Sequence, residues 1–190
     1  FEEDGSIDFP SLEKQTRYLI DNGAHGLFVN GTTGEGAYLS TSEKVEIYRA
    51  VKEIAAGKTV LCAACLQPST EMVLAEMKEH EKYEPDFYVA VTPYYYNSTQ
   101  EATIEHFKTI AKAAPAPLIV YHIPSRTHND ITVDSVLKLL DIPNIAGIKD
   151  SSANFVSFSR CFLAGQKDGF AWIQGDDLLD APSLLMGANG

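Results

Sequence analysis

The sequence contains no run of about 18 apolar residues, so no membrane-spanning helix is expected. No charged stretch followed by a short apolar one opens it, and no signal peptide can be read there. Basic residues are scarce, 15 Lys and Arg against 26 Asp and Glu, for a net charge of −11. Such a chain is a poor generic partner for nucleic acid or an anionic membrane, although a local site can still hold an anionic small molecule. No G-x-G-x-x-G motif follows any apolar run, which weakens a dinucleotide-binding reading. The five histidines form no i, i+4 pair and have no nearby cysteine, so no metal site is expected. Three cysteines cannot all pair. Cys62 and Cys65 spell C-x-x-C, but they close an apolar run, Thr59 to Ala64, that suits a buried strand. Residues i and i+3 of a strand face opposite sides, so two packed thiols are expected, and the low cysteine use suits a reducing cytoplasm.

What is present is the composition of a globular protein, 45% apolar and 22% charged. Short apolar runs recur about every 30 residues, starting at Leu27, Val60, Phe87, Leu118, Ile145 and Ala171. They are continuous rather than alternating, as in parallel strands buried on both faces. Amphipathic stretches lie between them, over 9–22, 40–56, 70–83, 98–114, 132–141, 153–164 and 178–186. Ser40-Thr41-Ser42-Glu43 and Ser98-Thr99-Gln100-Glu101 have the form of capping boxes. The pattern is α/β with right-handed crossovers. An open doubly wound sheet and a (β/α)8 barrel both satisfy it, and no linker divides residues 1–190.

Both architectures bind ligands where the strands end. After the first run comes Gly31-Thr32-Thr33-Gly34-Glu35-Gly36. Its amides and two hydroxyls suit a carboxylate, and it also suits an ordinary turn. After the third comes Pro93-Tyr94-Tyr95-Tyr96, phenols able to relay protons or simply to pack. The fourth ends in Tyr121-His122-Ile123-Pro124-Ser125-Arg126, whose guanidinium fork suits a dicarboxylate or keto acid. The fifth ends in Lys149. A lysine losing hydration in a barrel mouth supplies the free amine that attacks a carbonyl, whereas one leaving the sheet is merely solvated.

Taken together, Gly31-Thr32-Thr33-Gly34-Glu35, Pro93-Tyr94-Tyr95, Tyr121-x-x-Pro124 and Gly147-Ile148-Lys149 resemble the dihydrodipicolinate synthase / N-acetylneuraminate lyase family, in order and spacing, across essentially all 190 residues. The resemblance implies a (β/α)8 TIM barrel and a class I aldolase or lyase acting on pyruvate. It implies that Lys149 forms the imine, with no separate cofactor and no metal. Tyr121 would move protons beside that imine. Thr32 and Thr33, with Gly31, would bind the pyruvate carboxylate, and Thr32 would link Tyr121 to Tyr95. In the synthases this last tyrosine comes from a neighbouring subunit, implying a homodimer or a dimer of dimers, a homotetramer. The partners implied are a small keto acid and an aldehyde.

The subfamily signals divide. Pro124-Ser125-Arg126-Thr127 and Gly175-Asp176-Asp177 resemble the synthases, in which the arginine grips the carboxylate of aspartate semialdehyde. Leu178 stands where sialic-acid lyases carry a sugar-binding acid. Gly34-Glu35-Gly36, Tyr96 and Tyr121-His122-Ile123-Pro124 are closer to N-acetylneuraminate lyases or 2-keto-3-deoxygluconate-type aldolases. Synthases prefer Asn where His122 stands and Gly where His128 stands. Only Tyr94 matches the synthases' lysine feedback site, so that regulation is not expected. Aspartate semialdehyde is the substrate expected first, a sugar acid second. A non-catalytic relative of the same fold would be expected to lose Lys149 or Tyr121, and both are present. Six strand-helix units fall short of eight, since a complete barrel takes about 250 residues. The expectation is therefore a segment of a longer enzyme, holding the second to seventh strands and lacking the first, the eighth and the C-terminal helices.

Overall fold

Six strands pair in parallel, each with the next in sequence. They are β1 (Gly26–Val29), β2 (Val60–Ala64), β3 (Phe87–Val91), β4 (Leu118–His122), β5 (Ile145–Asp150) and β6 (Ala171–Gln174). The structure, a computed structural model, describes residues 1–190. An unbroken sequential order is that of a (β/α)8 barrel, whereas a doubly wound sheet reverses its order at a switch point. Beyond β6, Asn189 N–H donates to the Trp172 carbonyl at 2.8 Å and Gln174 N–H to that of Gly190 at 2.7 Å. The last residues thus already run beside β6.

The helices are α1 (Phe9–Asp21), α2 (Thr41–Ala55), α3 (Thr70–Glu81), α4 (Gln100–Ala113), α5 (Pro124–Thr127), α6 (Val133–Leu140), α7 (Phe155–Ala164) and α8 (Asp180–Met186). The Ser40 box is complete: Ser40 Oγ accepts from Glu43 N–H and Glu43 accepts from Ser40 N–H at 2.8 Å. The second box forms differently. Thr99 caps α4 by accepting from Ala102 N–H at 3.2 Å, and Ser98 is drawn elsewhere by Asn129. Two short elements were not legible. The 3-10 turn Gly36–Tyr38 and the single-turn α5 lack the length for an apolar period to show. No helix is long and apolar enough to cross a membrane.

Two apolar layers flank the sheet. The larger lies between strands and helices and includes Tyr48, Val73, Tyr88, Phe107, Phe158 and Trp172. The smaller lines the concave face with Ala64, Leu66, Val89, Val91, Ile119, Tyr121 and Ile123, with Phe28, Cys62 and Phe87 packed on it. Alternate residues of one strand supply the two layers, because side chains of a strand point to opposite faces. Cys62 joins the concave layer and Cys65 the convex one, as their spacing requires, and all three cysteines are free. Burial pushes the Cys62 and Cys161 thiols up to about 11, so they pack as neutral groups. Gly147 lets β5 approach β6: a Cβ there would fall 2.6 Å from the Ala171 carbonyl oxygen.

Candidate active site

Tyr121 and Lys149 are paired across β4 and β5, one residue from the end of each strand. Lysine Nζ stands 4.5 Å from the centroid of the Tyr121 ring and 4.7 Å from that of Phe28. These two rings meet edge to face at 5.5 Å, so Lys149 Nζ lies against a built aromatic wall. Gly175 leaves room for it, since a Cβ there would fall 2.9 Å from Lys149 Cε. Phe28 was not singled out from the sequence. Its signal was its inward position on β1, legible only once the strand's face is known.

Tyr121 is buried, and its hydroxyl lies 3.4 Å from the Thr32 hydroxyl. Thr32 sits on the loop that leaves β1. That loop doubles back tightly: Gly36 N–H donates to the Gly31 carbonyl at 3.1 Å, and Glu35 takes a left-handed φ of 54°. Gly36 is obligatory, because a Cβ would overlap the Asn30 carbonyl oxygen. Gly31 is held against Phe28, where a Cβ would come within 2.7 Å of the ring. Thr32 and Thr33 are both left exposed at the strand ends.

Thr32 also lines a cleft of about 430 Å³ with Glu35, Tyr38, Tyr94, Arg126 and Thr127. Lys149 does not line this cleft, and the Thr32–Tyr121 contact joins the two. Arg126 is exposed on α5 and makes no ion pair within the chain. Tyr94 packs on the concave layer and donates to the Leu66 carbonyl at 3.2 Å. Tyr95 is 84% exposed at a left-handed φ of 78° and stacks edge to face on Tyr96. Within one chain it makes no hydrogen bond to Thr32. The structure thus brings together Lys149, Tyr121 and Thr32, opens the Arg126 side of the cleft, and projects Tyr95 outward.

Behind the Tyr121–Lys149 pair, on the opposite face, His122 pairs with Asp150. Nδ1 lies 3.3 Å from Asp150 and Nε2 lies 2.7 Å from Asp130. Burial pulls the imidazole down, but the hydrogen bond and charge of Asp150, with Asp130 behind them, hold it above its ordinary value. For Asp150 the same burial raises the carboxyl, and His122 and Ser152 overcome it, so the group sits below its ordinary value. Ile131 N–H also points at Nε2, at 3.2 Å. The imidazolium serves Asp130 and the neutral ring serves Ile131.

One cluster escaped the sequence reading. Cys65, Glu76 and His80 bring ligand atoms within 4.8 Å of one another in the convex core. Glu76 is already held by the Lys44 ammonium at 3.0 Å and by Gln67, and burial keeps the Cys65 thiol protonated. The group therefore reads as a core ion pair with two neighbours.

Comparison with known proteins agrees with this fold. The chain is 34% identical over 190 residues to a 4-hydroxy-tetrahydrodipicolinate synthase of Corynebacterium aurimucosum, covering 100% of itself and 62% of that protein. The fold matches a crystal structure of dihydrodipicolinate synthase from Bacillus anthracis with a TM-score of 0.95 at 35% identity, over 100% of this chain and 65% of that one. It matches the chloride-inhibited dihydrodipicolinate synthase of Acinetobacter baumannii, complexed with pyruvate, with a TM-score of 0.94 at 34% identity, over 98% and 64%. The chain thus spans a little under two thirds of the length of these relatives. With the model of the dihydrodipicolinate synthetase family matching residues 1–190, a six-strand parallel sheet in barrel order and a strand-end lysine beside a tyrosine, the chain belongs to that family.

Proposed function

We propose that this protein is a Schiff-base-forming lyase of the class I aldolase type that acts on pyruvate. Its closest chemistry is that of 4-hydroxy-tetrahydrodipicolinate synthase, condensing pyruvate with aspartate semialdehyde. The observation that carries this reading is Lys149 Nζ over the Tyr121 ring, with the Tyr121 hydroxyl 3.4 Å from Thr32.

The free amine of Lys149 attacks the keto carbon, and the carbinolamine loses water to give an imine. The imine withdraws electrons, so the pyruvate methyl loses a proton and becomes an enamine. The enamine carbon attacks the aldehyde carbon, whose oxygen takes up a proton. Water then hydrolyses the imine and returns Lys149. Each proton transfer needs a donor or acceptor within hydrogen-bond reach, and Tyr121, coupled to Thr32, is that group. Gly31, Thr32 and Thr33 hold the pyruvate carboxylate by amide and hydroxyl donors. Arg126, uncommitted to any carboxylate of the chain, grips the acidic end of the aldehyde. Tyr95, turned outward, completes the relay in a second copy of the chain, which makes the working form a homodimer or a dimer of dimers. The imine formed on Lys149 is the electron sink, so the reaction uses no separate cofactor. The compartment proposed is the reducing cytoplasm, a reading supported by three free cysteines.

The test is borohydride reduction with pyruvate in the intact enzyme, followed by peptide mass spectrometry. A reduced pyruvate adduct on Lys149 is expected, and its absence overturns the mechanism. A panel of aldehydes and keto acids then ranks aspartate semialdehyde against sugar-acid substrates.

A further inference from the structure

Asn129 is buried at 5% exposure, and its side chain is spent on a loop to which it does not belong. Its Nδ2 donates to the Pro93 and Tyr96 carbonyls, each at 2.8 Å. Its Oδ1 accepts from Ser98 N–H at 2.7 Å. One amide thus grips the backbone on both sides of Tyr94-Tyr95. The Asn129 carbonyl also accepts from the Thr92 and Thr127 hydroxyls at 3.5 and 3.2 Å. The first lies at the root of the tyrosine loop and the second on the turn that carries Arg126.

Tyr95 needs such a support. A bulky residue at a left-handed φ persists only where its surroundings impose it. Its own ring is exposed and rests on Tyr96, and the Tyr94 hydroxyl anchors the loop on one side alone. Buried amide groups bonded at good geometry are rigid, and removing one strands its partners.

We propose that Asn129 is the positioning residue for Tyr95: it clamps the tyrosine loop in the conformation that presents the Tyr95 phenol to a second copy of the chain. The inference rests on the pyruvate reading above and extends it to a residue that touches neither substrate nor imine. Coupling through Thr127 further ties the pose of Tyr95 to the turn bearing Arg126.

The experiment measures exchange of the pyruvate methyl protons with deuterium by proton NMR, which needs the imine and the proton relay but no aldehyde. It compares wild type, Asn129→Ala, Tyr95→Phe and the double variant, with borohydride trapping alongside. Tyr95→Phe is expected to lower exchange at saturating pyruvate about 100-fold, at the low end for a lost acid-base group. Asn129→Ala is expected to lower it about 10-fold or more, with the KM for pyruvate little changed, since small misplacements carry costs of that order. In the Tyr95→Phe background the Asn129 change is expected to cost less than about twofold, because the two act as one unit. Trapping on Lys149 persists throughout.

Equal losses in both backgrounds, or unchanged exchange in Asn129→Ala, overturn the proposal. If Asn129→Ala does not fold, Asn129→Asp keeps the acceptor for Ser98 and loses both donors, and carries the same comparison. If it too unfolds, Asn129 is a folding element and the proposal falls. A wild-type enzyme with no adduct on Lys149 overturns the pyruvate reading itself, before any variant is compared.

Discussion

Tyr121 and Lys149 are register partners on adjacent parallel strands, and Lys149 Nζ stands 4.5 Å from the centroid of the phenol ring. In a parallel sheet, register partners project to the same face. The proposed reacting amine and its proposed proton-transfer group are therefore fixed by two backbone ladders rather than by flexible loops. Tyr121→Phe keeps the ring under Lys149 and removes only the hydroxyl facing Thr32. Pyruvate methyl exchange is expected to fall by about 10²- to 10⁴-fold, while the reduced adduct on Lys149 still accumulates with time. Exchange at the wild-type rate would remove Tyr121 from the relay.

In the proposed reaction Arg126 grips the aldehyde and not pyruvate. Arg126→Ala removes the uncommitted guanidinium of the cleft and leaves Lys149, Tyr121 and Thr32 in place. The expected outcome is a loss of about 2–5 kcal/mol in kcat/KM for aspartate semialdehyde, the scale of a truncated charge pair. Imine trapping with pyruvate alone is expected to change little. Equal loss in both assays would take the role from Arg126.

The His122–Asp150 pair makes stability depend on pH in two windows. His122 is held above its ordinary value, so its contribution is complete below about pH 6.5 and is lost as pH rises through the folded value. Asp150 is held below its ordinary value, so its contribution is present above about pH 4 and is lost as pH falls through the folded value. The pair stabilises most between these limits. In urea unfolding, the advantage of wild type over His122→Asn should shrink as pH rises from about 6 to 9. A constant difference would show that the imidazole does not titrate within the fold.

Lys44 and Glu76 form an ion pair with side chains 3% and 1% exposed. Glu76→Gln leaves a buried ammonium without its counter-charge and is expected to cost about 3–5 kcal/mol. Replacing both together, by Lys44→Met and Glu76→Leu, is expected to cost far less or to stabilise. Denaturant titration of the three variants decides it. A double variant as unstable as the single one would mean that the pair contributes more than charge balance.

The position of strand ends is what made the candidate site residues legible. A continuous apolar run marks a buried parallel strand, and ligands of such folds bind at strand ends, so Lys149, Tyr121, Thr32 and Arg126 could be named as candidates along the chain. The C-x-x-C motif was settled in the same way, by alternation of faces alone. The six strands followed from the recurrence of apolar runs, a pattern that suits open sheet and barrel alike; their order, which separates the two, came from the structure.

Tertiary structure decided the rest, because the rest depends on contacts between distant segments. Phe28 lies far from Lys149 in sequence and becomes its neighbour only when β1 curls toward β5. Asn129 has no motif around it, and its reach to Pro93, Tyr96 and Ser98 exists only where two loops meet. Thr99 rather than Ser98 caps α4, since Asn129 competes for the Ser98 amide. The partners of His122, Asp150 and Asp130, have no signature in the sequence because strand pairing and a loop bring them to it. Local periodicity and strand ends carry the architecture and the candidate reacting groups. Pairings across the sheet, with no period to announce them, decide which side chains hold those groups in place.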